Sequence, residues 1–64
     1  MNWQEKAETM LGYHWIVTLA HIAGYEKRTV QRWRTGYKQV PDAVVQAIDD
    51  MYEIYKQLND IKGE

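Results

Sequence analysis

The stretch VTLAHIAGYEKRTVQRW, residues 17–33, contains two short helical patterns that meet at Gly24. Three apolar residues, Leu19, Val30 and Trp33, are spaced so that they can pack between the two helices and hold them at a steep angle. Gly24 suits the junction because glycine accepts positive φ without steric cost. The stretch therefore predicts two helices joined by a tight turn, with the cationic residues of the second helix facing outward.

Further helical patterns lie on both sides of this stretch, so we expect an all-α, four-helix compact domain over residues 1–64. Asn2 and Glu5 have the spacing of an N-terminal capping box, which starts the first helix near Trp3. Pro41 opens the last and longest helix, since proline is tolerated in a first turn. The predicted helices are residues 3–11, 15–23, 26–34 and 41–59, and the central pair with its turn covers about 15–35.

Apolar spacing also predicts which side chains are buried. In the second helix Trp15, Leu19 and Ile22 are expected to form the inner stripe, and Tyr25 is expected to be buried after the turn. In the last helix, apolar residues recur at alternating spacings of four and three, a pattern typical of a narrow helix–helix seam.

Charge is distributed unevenly along the chain. The formal net charge is −1, but residues 26–38 carry +4 and residues 39–64 carry −4. A compact basic patch on an acidic domain indicates one surface that faces a polyanion.

Residues 19–41, LAHIAGYEKRTVQRWRTGYKQVP, resemble the Cro/lambda-repressor type of helix-turn-helix. The likeness is greatest to small phage and bacterial regulators, including the anti-CRISPR-associated type, with a pattern such as LAxxLGVSxRTVxRWxxGxxPVP. Ala20 matches the small residue of the helix crossing in this family. The resemblance implies a lambda-repressor-like fold and sequence-specific binding to double-stranded DNA, with the second helix of the motif in the major groove.

The resemblance also assigns roles to individual positions. The expected base contacts are Lys27, Arg28, Gln31 and Arg32. The expected contacts to the DNA backbone are Tyr13, His14, Arg34, Thr35, Tyr37 and Lys38. Tyr13 and His14 are included because Ile16 replaces the glutamine that the family often has near the start of the second helix. Glu26 stands where the family has a small polar residue, and we interpret it as a partner of the helix dipole and as a filter on base choice.

Other classes of function find little support in the sequence. There is no Cys, and His14 and His21 are seven residues apart without further ligands at suitable spacing, so no metal site or cofactor is expected. Asp49, Asp50 and Glu53 are interpreted as a solvated helix flank, and no catalytic constellation is present. We therefore predict a non-enzyme without an evident small-molecule ligand. The absence of a signal-peptide pattern or long apolar run predicts a cytoplasmic protein that does not bind membranes.

Two uses of the last helix are consistent with the sequence. Val44, Ile48 and Met51 are expected to cover the first three helices. The far end is expected to form a homodimer interface through Tyr52, Tyr55, Leu58 and Ile61. The leading hypothesis is a dimeric repressor that binds an inverted-repeat operator in its own or a neighbouring promoter. The alternatives are a protein-interaction module, such as an antirepressor or adaptor, and a non-specific architectural DNA binder.

Overall fold

The structure is a computed structural model that describes the backbone of residues 1–62 and the side chains of residues 1–60. The described residues form four α-helices and no strand: α1 (Trp3–Leu11), α2 (Trp15–Ala23), α3 (Lys27–Thr35) and α4 (Asp42–Lys62). The predicted all-α, four-helix fold is therefore confirmed. The main difference in bounds is α4, which continues three residues beyond the predicted end at Asn59.

The helix ends follow from local chemistry. Asn2 Oδ1 accepts a hydrogen bond from the backbone N–H of Glu5 at 2.8 Å, and the Glu5 carboxylate accepts from the N–H of Asn2 at 3.4 Å, so the predicted capping box is present. Gly24 ends α2 with φ 78° and ψ 27°, the left-handed conformation that the turn required. Pro41 precedes α4 rather than opening it, because its carbonyl accepts the first helical bonds, from Val44 and Val45.

All four helices contribute to one core. Its buried side chains are Ala7, Trp15, Leu19, Ala20, Val30, Trp33, Val44 and Ile48. Leu19, Val30 and Trp33 are all buried, as predicted for the junction of α2 and α3. The neighbouring helix α1 packs against both α2 and α4. The core thus fixes α3 through one of its faces and leaves the other in solvent.

Two burial predictions are wrong. Ile22 is 55% exposed and Tyr25 is 40% exposed. The physical reason is that α4 carries the small side chains of Ala43 and Ala47 on this side, which leaves an apolar groove of about 310 Å³ between the end of α2 and α4. This groove is also lined by Val44, Ile48 and Met51 of α4. Tyr25 nevertheless packs edge-on against Trp33, with the ring centroids 4.8 Å apart.

Polar contacts tie α4 to the start of the chain. Lys6 Nζ donates to Asp49 Oδ1 at 2.8 Å, and this hydrogen bond raises the pKa of Lys6 above its ordinary value. The Tyr52 hydroxyl donates to the sulfur of Met1 at 3.1 Å, and Lys6 Nζ lies 5.6 Å from the Tyr52 ring centroid. Asp49 is therefore half-buried and paired, which differs from its interpretation as part of a solvated flank. No helix within residues 1–62 is long and apolar enough to cross a lipid bilayer.

Candidate nucleic-acid interface

Helix α3 has one apolar face and one polar face. Val30 and Trp33 are buried, and an α-helix turns by about 100° per residue. Residues Arg28, Gln31 and Arg32 therefore point away from the core, and all three are exposed. The structure brings these three predicted base contacts together on one outward surface.

The turn before α3 sets its direction. The N–H of Tyr25 donates to the carbonyl of Ala20 at 2.9 Å, which closes the end of α2 around Gly24. Ala20 is buried at the junction, where a small side chain lets the two helices approach closely. The buried pair Val30 and Trp33 then holds α3 against α2, so the orientation of the outward surface is fixed by the core.

Glu26 plays a different local role from the expected one. It is the N-cap residue of α3, but its side chain accepts no hydrogen bond from the helix. Its carboxylate instead lies 3.2 Å from Nε of Arg28, and both side chains are largely exposed. In the free domain Glu26 thus partly neutralises one of the outward arginines. The sequence pointed to a dipole partner and did not indicate this ion pair.

The segment after α3 folds back beside the helix. The Thr35 hydroxyl donates to the carbonyl of Arg32 at 3.2 Å, and the N–H of Lys38 donates to the same carbonyl at 3.2 Å. The guanidinium carbon of Arg32 lies 5.9 Å from the centroid of the exposed Tyr37 ring. These contacts keep Tyr37 and Lys38 next to the outward surface of α3. Sequence reasoning missed the stacking of Arg32 on Tyr37, because it depends on the chain reversal at Gly36.

The start of α2 exposes two more predicted contacts. Tyr13 and His14 are both exposed, and their rings pack edge-on with centroids 5.0 Å apart. His14 is the N-cap residue but makes no side-chain capping bond. The N–H of Trp15 donates to the carbonyl of Gly12 at 3.1 Å, and the following N–H groups of the first turn have no side-chain cap, an arrangement suited to a phosphate oxygen.

All ten residues predicted to contact DNA are exposed. Lys27 begins α3 and lies about a quarter-turn from the centre of the outward surface, by helix geometry. Arg34 lies on the flank and extends the positive charge towards the exit loop. Among the described side chains, Arg28 is the only cation of residues 26–38 that forms an ion pair within the domain. The +4 charge of this segment is therefore largely uncompensated locally.

No group of three potential metal-ligating side chains occurs in the described part of the chain. No protein-family model, curated protein or solved structure matches this sequence or its fold.

Proposed function

We propose that this protein is a sequence-specific DNA-binding regulator, acting in the cytoplasm as a dimeric repressor of its own or a neighbouring promoter. The observation that carries the proposal is the two-faced helix α3. Its buried side chains, Val30 and Trp33, leave Arg28, Gln31 and Arg32 exposed to a ligand. A rigid helix with an outward cationic row matches the width and the charge of the DNA major groove.

In this mechanism α3 enters the major groove and reads base edges. Arg28 and Arg32 are one helical turn apart, about 6 Å along the axis, so they reach neighbouring base pairs. Each guanidinium can donate two parallel hydrogen bonds to O6 and N7 of guanine, and the Gln31 amide can pair with N6 and N7 of adenine. Lys27 approaches from the start of the helix. We therefore expect a half-site that contains guanine.

Contacts to phosphates would set the register. Arg34, Thr35, Tyr37 and Lys38 surround the exit of α3, where the turn holds them beside the outward surface. On the other side, Tyr13 and His14 offer donors at the start of α2. Such contacts position the protein without reading sequence. If the protein contacts about six phosphates, the logarithm of the association constant should fall with the logarithm of the salt concentration with a slope near −5.

Glu26 would increase discrimination between the preferred DNA site and other sequences. Its carboxylate repels phosphates, and its pairing with Arg28 at 3.2 Å must loosen before that arginine can reach guanine. A cytosine N4 amino group could compensate by donating to the freed carboxylate. This competition penalises binding to random sequence more than binding to the preferred site.

Repression would follow from occupancy of an inverted repeat that blocks polymerase. The two half-sites are expected to be about 10–10.5 bp apart, or a multiple of this, because both copies must meet the same side of the DNA. The sequence placed the dimer contact at Tyr52, Tyr55, Leu58 and Ile61. Of these, the side chain of Ile61 lies outside the described residues.

Selection of bound sequences from a random duplex library tests the proposal directly. We expect an inverted repeat to be enriched, and an enriched pool without any shared sequence would contradict sequence-specific binding. It would instead favour the architectural binder.

A matched pair of variants then tests the outward surface. Arg32→Ala should weaken binding to the selected site by roughly 5- to 150-fold per half-site, the equivalent of one bidentate arginine–guanine contact. Lys56→Ala removes the same charge from the exposed surface of α4 and should leave the affinity unchanged. Equal losses in the two variants would mean that only the overall charge matters.

A second candidate, a protein-interaction module, is favoured by the apolar groove between α2 and α4. The salt dependence of the binding affinity separates the two candidates. The affinity of apolar docking changes little with salt concentration, whereas an affinity that rests on phosphate contacts falls steeply.

A further inference from the structure

One side of α4 exposes apolar side chains that the core does not use. Ile54 is 58% exposed and Leu58 is 54% exposed. Ala43 and Ala47, further towards the start of the helix, are also exposed and line the groove next to Ile22 and Tyr25.

These four α4 residues lie on one stripe. They are separated by four, seven and four positions, and such spacing returns to the same side of a helix. We call this stripe, formed by Ala43, Ala47, Ile54 and Leu58, the apolar face of α4. It extends over about 22 Å of helix length. Glu53 and Asp60 lie about 110–130° around the helix from this stripe, and Asp49 is turned towards Lys6 of α1. Asp50 lies beside the stripe, about 40° from Ile54, and its carboxylate accepts a hydrogen bond from the Gln46 amide at 3.0 Å.

The apolar face has two unlike halves. Its first half is a hollow, because the small side chains of Ala43 and Ala47 line the groove together with Ile22 and Tyr25. Its second half is a ridge, because Ile54 and Leu58 project from the helix. Ala47 and Ile54 are equally far from a point between Asp50 and Met51, and Ala43 and Leu58 are equally far from the same point. An antiparallel second copy, related by a two-fold axis through that point, would place each large side chain opposite an alanine.

We propose that a second copy of this chain covers the apolar face, with the two α4 helices antiparallel. Ile54 of each copy then enters the partner's groove over the partner's Ala47, and Leu58 of each copy lies over the partner's Ala43. This inference rests on the proposed function, since it gives the surface through which the DNA-binding dimer forms. A two-fold contact requires one patch that is complementary to itself, and the apolar face meets this condition.

A known size range describes stable dimer contacts. A standard interface buries about 800 Å² per partner, roughly a sixth of the 4791 Å² surface of this domain. The strip over which such a contact would form is the apolar face, about 22 Å long, together with Ile22 and Tyr25 at the end of α2.

The proposal moves the interface around α4 from the position that the sequence suggested. Tyr52 is already engaged within its own chain, with its hydroxyl on the sulfur of Met1 and its ring between Lys6 and Lys56. Tyr52 and Tyr55 stack on each other, with ring centroids 6.1 Å apart. Of the residues predicted from the sequence, Leu58 alone belongs to the apolar face among those whose side chains are described.

Sedimentation equilibrium of the full chain tests the surface with two variants of equal charge. Ile54→Lys places a cation on the apolar face, and Asn59→Lys places one on the side of α4 that carries Tyr52 and Tyr55. The wild type should dimerise between about 1 µM and 1 mM. Ile54→Lys should weaken the dimer at least ~100-fold, because each dimer contains the change twice, whereas Asn59→Lys should change its Kd less than about threefold.

A wild type that stays monomeric at about 1 mM overturns the proposal. A dimer that survives Ile54→Lys also overturns it, as does a dimer that Asn59→Lys disrupts equally. Thermal melting of each variant checks the fold. Should Ile54→Lys melt early, Leu58→Lys replaces it at the other exposed ridge position with the same expected outcome.

A mixing experiment tests the register. Ala47→Glu and Ile54→Lys should each dimerise at least ~100-fold more weakly than the wild type, because each puts a charge into the apolar contact. A mixed dimer places the new glutamate opposite the new lysine, and its remaining contacts are those of the wild type. The mixture should therefore dimerise at least ~10-fold more tightly than either variant alone. Failure of the mixture to dimerise would rule out the proposed register.

Binding to a single half-site separates this inference from the proposed function. The Ile54→Lys variant keeps α3 intact, so its affinity for one half-site should equal that of the wild type even when the dimer is lost. Loss of the dimer with half-site binding retained supports both ideas. A dimer that behaves as described, with no preferred DNA sequence, would leave the interface standing and refute the DNA-binding function.

Discussion

Replacement of Trp33 by alanine should remove most of the stability of this domain. Trp33 is 6% exposed, belongs to the same core as Val30 and packs edge-on against the Tyr25 ring, whose centroid is 4.8 Å away. Truncating a buried tryptophan costs about 3–5 kcal/mol, since the lost apolar burial is followed by a cavity that neighbours fill only in part. A 64-residue domain has a free energy of unfolding of about 3–10 kcal/mol. We expect the Trp33→Ala variant to be largely unfolded or to retain only a small free energy of unfolding.

Urea unfolding followed by far-ultraviolet circular dichroism measures this loss. Circular dichroism is preferable to fluorescence because Trp3 and Trp15 remain in the variant. The neighbouring Arg32→Ala is the control, since Arg32 lies on the outward surface of α3. The Arg32 guanidinium makes a cation–π contact with the Tyr37 ring, with its carbon 5.9 Å from the ring centroid. An exposed contact of this type contributes about 0.5–1 kcal/mol to stability.

The two adjacent positions should therefore separate stability from binding. If Trp33→Ala costs less than about 1 kcal/mol, the junction of α2 and α3 does not depend on this side chain as reasoned. If Arg32→Ala is as destabilising as Trp33→Ala, the residue that we assign to DNA is structural.

Two further changes test other parts of the fold. Gly24→Ala should cost about 1–2 kcal/mol in thermal melting, because an alanine at φ 78° is strained even though its Cβ would meet no neighbour within 4 Å. Gly24→Asn should cost less, and equal losses would point to a cause other than backbone conformation. Lys6→Met tests pH dependence: the hydrogen bond to Asp49 raises the pKa of Lys6 above 10.5, so its stabilisation is complete below that pH and is lost as the pH rises through the raised pKa. The difference from wild type should be constant near neutrality and should shrink in strongly alkaline solution, and a difference that already changes near pH 7 would contradict this linkage.

Much of the fold could be predicted because its signals are local. Asn2 and Glu5 interact across one helical turn, so their spacing alone fixes the start of α1. Gly24 marks the turn because few other residues adopt its backbone conformation. The buried triad of Leu19, Val30 and Trp33 follows from the helical period on either side of that glycine. The same period places Arg28 and Arg32 on the exposed side of α3.

The two wrong burial predictions concern residues whose burial depends on a distant helix. Ile22 and Tyr25 have the spacing of core residues, but Ala43 and Ala47 of α4 are too small to cover them. Glu26 turns to Arg28, a choice between two nearby partners that the sequence did not resolve.

The sequence by itself thus determined four helices, the capping box of α1, the glycine turn after α2 and the two faces of α3, because each depends on residues within a few turns of one another. The tertiary structure decided which side of α4 is available to a second copy. Tyr52 is engaged by Met1, which is 51 residues away along the chain, while Ile54 and Leu58 project into solvent. Helical periodicity shows which side chains share a face, but only the packed helices show which face remains uncovered.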